Sequence, residues 1–199
     1  MNVTSIRPVF RRTFLFLLAI AFWPALSMAA DWDIDQLMQS MGKVASGRAT
    51  FIEKKTMAML ERPVESSGEL LYTAPDHLEK RTLKPKPETM TIDGGTLTIE
   101  RGRQKLAVQL SEYPELAGFL DSIRGTLAGD RKALERVFRL QLEGGAERWQ
   151  LSLTPTDGKM ATTIHLIRIA GSRDNVRRIE IIQTDGDRSV MTVTPVATP

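Results

Sequence analysis

The sequence predicts a mainly β domain with helices, of the α+β class, built on one antiparallel sheet. Three observations carry this. Short runs of strand character recur from Arg48 to Leu110 and again from Phe138 to Thr194. Turn residues separate them, with no crossover-length helix between neighbours, so adjacent strands should run antiparallel. Helical periodicity is confined to an N-terminal stretch and to a central insertion, Ser111 to Val137.

The chain has 199 residues, enough for one domain with a real core. Its first 29 residues have the form of a secretory leader. Arg7, Arg11 and Arg12 precede an uncharged apolar run, Phe14 to Phe22, which is too short to span a bilayer as a helix. Pro24 breaks the run, and Ser27, Met28 and Ala29 supply a cleavage site, so residues 30–199 form the expected mature domain. That reading places the protein in the periplasm, soluble and without a lipid anchor. It also changes the charge argument. The chain has 27 basic and 24 acidic residues, and the leader holds three of the basic ones, which leaves a formally neutral mature chain. A nucleic-acid partner is not supported. There is no cysteine, so disulfides cannot hold the fold.

In chain order, Trp32 to Ala45 predicts a helix. Ile34, Leu37, Met38, Met41 and Ala45 share one face, Asp31 or Asp33 can cap the start, and Gly47 fits the stop. Arg48 to Leu60 predicts a long strand, exposed in its middle because Glu53, Lys54 and Lys55 put charge on both faces. Strands follow at Glu65 to Tyr72 and Leu78 to Leu83. Glu88 to Ile92 and Thr96 to Glu100 flank Asp93, Gly94 and Gly95, a hairpin signal. Gln104 to Leu110 closes the first group. Leu116, Phe119, Leu120, Ile123 and Leu127 then form a helical stripe, and Gly125 and Gly129 divide it from a second short helix, Asp130 to Val137. These helices should lie over the sheet. The second group pairs Phe138 to Glu143 with Arg148 to Thr154, and Thr163 to Ile169 with Val176 to Thr184, before Ser189 to Thr194.

Chemistry-bearing motifs are absent from the sequence. The two histidines, His77 and His165, stand at no metal-ligand spacing, and no cysteine assists them. There is no nucleophile elbow, and the paired glycines sit between strands, not before a helix that could bind phosphate. No catalytic residue, metal or cofactor is expected. Apolar binding remains. Met38, Met41, Met57, Met59 and Met90 suit variable greasy ligands, and a curved sheet with helices across its mouth can hold one. The competing reading is that these side chains fill the core of a structural or interaction module of the envelope.

The run Gly68, Glu69, Leu70, Leu71, Tyr72, Thr73, Ala74, Pro75, then Leu78, Pro85 and the segment Asp93 to Leu97, resembles the periplasmic outer-membrane lipoprotein carriers, the LolA-like family. That family has a G-x-L strand ending in proline, a second strand, and D-G-x-T-L. Phe51 to Lys54 is similar to its F-x-Q-K segment, and Val176 to Thr194 to its late hairpin. The resemblance implies an unclosed β-barrel capped by helices. It also implies a non-enzymatic carrier that takes acyl chains from an inner-membrane transporter to an outer-membrane acceptor, acting as a monomer. Leu78 matches a position near the cavity mouth and Met90 one in a loop beside the cavity. Ala74 stands where the family has an arginine that latches the helical lid, and Lys80 where it has a tryptophan. On this reading the cavity candidates are Phe51, Met57, Met59, Leu70, Tyr72, Leu78, Met90, Leu97, Ile99, Leu106 and Val108. The lid candidates are Leu116, Phe119, Leu120 and Ile123. A one-residue slip in register would exchange the two faces of each strand.

Overall fold

A computed structural model describes residues 32–196, so the expected leader lies outside the described residues. Helix α1, Ile34–Met41, starts in a capping box. The Asp33 carboxylate accepts the Gln36 amide N–H, and the Gln36 side-chain oxygen accepts the Asp33 N–H. The helix is shorter than its apolar period suggests and is capped by Gly42. Gly47, the expected stop, already pairs with Tyr72 in the first strand. Residues 42–45 turn the chain out of the helix, and β1 begins at Ser46.

The first strand group is β1 (Ser46–Thr56), β2 (Val64–Thr73), β3 (His77–Lys84), β4 (Glu88–Asp93), β5 (Thr96–Arg101) and β6 (Gln104–Gln109). A 3₁₀ turn over Leu110–Glu112 leads into α2 (Pro114–Leu127) and α3 (Arg131–Glu135). The second group is β7 (Phe138–Gly145), β8 (Arg148–Pro155), β9 (Ile164–Ser172), β10 (Asn175–Gln183) and β11 (Arg188–Pro195). A short helix unforeseen in the sequence, α4 (Gly158–Ala161), sits between β8 and β9, started by the Asp157 carboxylate. Within the β4–β5 hairpin Gly94 takes φ +56°, the left-handed conformation its tight turn requires.

All eleven strands form a single sheet in the order β6-β5-β4-β3-β2-β1-β11-β10-β9-β8-β7, and every neighbouring pair is antiparallel. The sheet is not closed: β6 and β7 are its free edges. Two meanders meet at the pairing of β1 with β11. The helical insertion runs from one free edge to the other.

The core divides into two clusters. Toward β7–β9, Leu37, Met38 and Met41 of α1 meet Phe138, Trp149, Leu151, Leu153, Ile167 and Ile169, with Leu134 and Met160 from the short helices. The Trp149 indole N–H is satisfied by the Arg173 carbonyl at 2.8 Å. Toward β4–β6, Ile92 and Leu97 meet Leu110 and Leu120. Phe119 of α2 packs against both clusters. Between them the middle strands bury Phe51, Tyr72 and Val193, which belong to neither cluster.

Candidate functional site

Register decides which side chains face the helices. Across the middle strands, Met90 lies opposite Lys80, Lys80 opposite Leu70, Leu70 opposite Ala49, and Ala49 opposite Pro195. The neighbouring row holds Ile92, Leu78, Tyr72 and Gly47. Because side chains alternate along each strand, these positions share one face. On β11 and β10 the same face carries Ser189, Met191 and Val193, then Ile179 and Ile181.

Over this face lies a cavity of about 660 Å³. Its floor includes Ala49, Leu70, Tyr72, Leu78, Met90, Met191, Val193, Ile179 and Ile181, and its roof is Leu116, Phe119, Leu120, Ile123 and Leu127 of α2. The volume falls within the ~300–1,000 Å³ of small-molecule sites. The roof arises from local rules. The stripe at helical spacing points down from α2, while Arg124, one turn after Leu120 on the flank of the stripe, donates to Asp121 and to the Gly94 carbonyl.

Of the residues singled out in the sequence, Met57, Leu70, Tyr72, Leu78, Met90, Leu116, Phe119, Leu120 and Ile123 line this space. The others lie elsewhere. Leu97 is in the second core cluster, with Ile99 and Val108 packed against it. Leu106 is exposed on the edge strand, and Met59 is 95 % exposed in the β1–β2 loop. Phe51 is 2 % exposed and is not part of the lining, because Lys80 lies across it with its ammonium 4.9 Å from the ring centroid. Ile179, Ile181, Met191 and Val193 also line the space, and the sequence does not single them out. Their alternation with Arg178, Glu180, Val190 and Thr192 was available, but not which of the two faces turned inward.

The charged run in the middle of β1 meets its expectation only in part: Lys54 and Lys55 are exposed, whereas Glu53 is 5 % exposed on the inner face. Its Oε2 accepts from the Lys80 ammonium at 2.5 Å and from the Ser66 hydroxyl at 3.4 Å, and its Oε1 from Ser189 at 2.7 Å. Lys55 stands 3.8 Å from Oε1. Burial pushes the Glu53 carboxyl pKa up. The Lys80 charge and hydrogen bond, the Ser189 hydrogen bond and the Lys55 charge outweigh it and hold the group below its usual range. Gly68 makes the reach possible: it stands opposite Phe51, on the row between those of Lys80 and Glu53. Tyr72 is the second polar feature. Its hydroxyl is buried and has no hydrogen-bond partner among the described residues, and burial, then the Asp76 charge, raises its pKa.

Among the described residues, no group of three or more His, Cys, Asp or Glu side chains is placed to hold a metal, and no helix is long and apolar enough to cross a membrane. The arrangement offers enclosure and a few hydrogen-bonding groups.

Residues 26–198 match a family described as "Outer membrane lipoprotein carrier protein LolA-like". No curated protein matches the sequence significantly. Solved structures to which this chain is similar include a LolA superfamily protein from Nitrosomonas europaea, at 11 % identity and TM-score 0.45, covering 82 % of this chain and 93 % of that one. Mycobacterium tuberculosis lipoprotein LppX is 12 % identical over 83 % of this chain and 96 % of its own, with TM-score 0.45. A chain of the Pseudomonas aeruginosa MucA/MucB complex is 15 % identical, with TM-score 0.46, over 83 % of this chain and 56 % of that one.

Proposed function

The chain belongs to the LolA-like family of outer membrane lipoprotein carrier proteins, and on that premise we propose that it is a non-enzymatic periplasmic carrier of acylated cargo. Residues 1–29 act as its export leader and residues 30–199 as one carrier domain. The cargo's acyl chain lies between the floor of middle strands and the underside of α2, and α2 serves as the lid. The chain passes its cargo from an inner-membrane donor to an outer-membrane acceptor.

The observation that supports this most strongly is the apolar space of about 660 Å³ left between two well-filled core clusters. Affinity and reversibility follow from its chemistry. Each buried methylene contributes about 0.8 kcal/mol. A dozen would give about 10 kcal/mol, from which the cost of ordering and immobilising the chain is subtracted. The balance suits cargo that is held firmly and still handed on.

Native mass spectrometry of the protein purified from the periplasm tests this. The expected result is co-purified acylated lipid, with uptake of a fluorescent fatty acid after its removal. No bound lipid together with no uptake would point to a structural module instead. Phe119→Glu should abolish uptake while the far-ultraviolet circular dichroism stays that of the wild type.

A further inference from the structure

The polar groups in the cavity are not balanced. Every partner of the Glu53 carboxylate is a donor: Lys80, Ser66 and Ser189 by hydrogen bond, and Lys55 at 3.8 Å. Two ammonium groups therefore share one carboxylate. Lys80 carries three N–H donors, and its recorded partners are Glu53 Oε2 at 2.5 Å and the Phe51 ring face, 4.9 Å from its centroid. Tyr72 lies diagonally across from Lys80 on the same face, and its buried O–H has no acceptor. The acidic groups elsewhere on the lining are already engaged. Glu79 pairs with Arg81, Asp187 accepts the Ala58 amide and Asp174 accepts from Asn175. The cavity thus presents two partly exposed ammonium groups, Lys80 and Lys55, against one carboxylate that both already share.

From this we infer that the cavity reads the polar end of its cargo, and that this end is anionic. The inference rests on the acyl-carrier reading. The chain occupies the space under α2, and an acidic headgroup, carboxylate or phosphate, accepts from the Lys80 ammonium beside Glu53. Glu53 positions that ammonium and competes with the ligand for it. The pair thus tempers binding as well as selecting for charge. A neutral amphiphile of the same length offers Lys80 no charge-assisted hydrogen bond, so it binds more weakly.

The test compares palmitate with 1-hexadecanol, which share a chain length and differ in the charge of the head. Dissociation constants are measured at pH 8 by displacement of a fluorescent probe from delipidated protein. Palmitate should bind about tenfold or more tightly than hexadecanol. The double variant Glu53→Gln/Lys80→Met removes both charges and leaves neither orphaned, and it should bring the two affinities together. Glu53→Gln alone frees the ammonium and should tighten palmitate several-fold, opposite in direction to the double variant. Hexadecyl phosphate should follow palmitate if charge, not carboxylate shape, is read. Equal binding of acid and alcohol by the wild type overturns the inference and leaves the carrier reading standing. So does a preference for acid that survives in the double variant, or a Glu53→Gln protein that binds palmitate no better. Binding of neither amphiphile sinks the carrier reading itself.

Discussion

Glu53 and Lys80 carry the clearest single-residue consequence. A carboxylate buried to this degree survives only if its partners repay desolvation, and four donors do so. Its folded-state pKa lies below the ordinary value of 4.5. The stabilisation is therefore full above that value and is lost as pH falls through the folded-state value. Acid unfolding below about pH 5 should be steeper for the wild type than for Glu53→Gln, read as melting temperature against pH. Equal slopes would show that Glu53 is not held in its charged form. At neutral pH, Lys80→Ala should cost about 1–3 kcal/mol in chemical denaturation, because the two serine hydroxyls and Lys55 still support the carboxylate. None of this was legible in the sequence. A charged triplet on a strand reads as solvated unless the partners are known, and Lys80 and Ser189 lie 27 and 136 residues away.

Single elements were easier to foresee. The D-G turn and the α2 stripe predicted strands and helix near their observed places, because local rules govern them. Their ends moved by a few residues, as where β1 begins at Ser46 instead of the expected Arg48. Two glycines show how the element decides the cost of a side chain. A Cβ at Gly68 would stand 1.8 Å from the Arg81 carbonyl oxygen, which is backbone of the adjacent strand. At Gly118 in α2 it would meet only the flexible end of Met160, with the sulfur at 2.5 Å. Gly68→Ala should therefore destabilise by more than about 2 kcal/mol. Gly118→Ala should stay within about 1 kcal/mol of the wild type, since the thioether can turn aside and alanine favours the helix. Equilibrium unfolding of both proteins checks the contrast.

At the scale of the molecule, the unclosed sheet and its helical cover followed from the order of elements, whereas the cavity did not. Whether strands close over a filled core or a space depends on where the large side chains fall. Trp149 and Phe138 go to one end and Leu97 and Leu110 to the other. The middle strands bury Phe51, Tyr72 and Val193 outside either cluster, and the small Ala49 beside them leaves the space. Hydrogen exchange should register this division. Amides of β8 and β9, buried under the larger cluster, should exchange slowest. Those of α2 should exchange faster and slow selectively when fatty acid is added. Uniform slowing across the sheet would argue that ligand binds outside the space under α2. The path of the chain from β6 to β7 has a mechanical consequence. The covered segment joins the two free edges of one bent sheet, as a string joins the tips of a bow. Lifting the string and flattening the bow become a single motion, so the girth of what passes beneath α2 is set by how far eleven strands can uncurl.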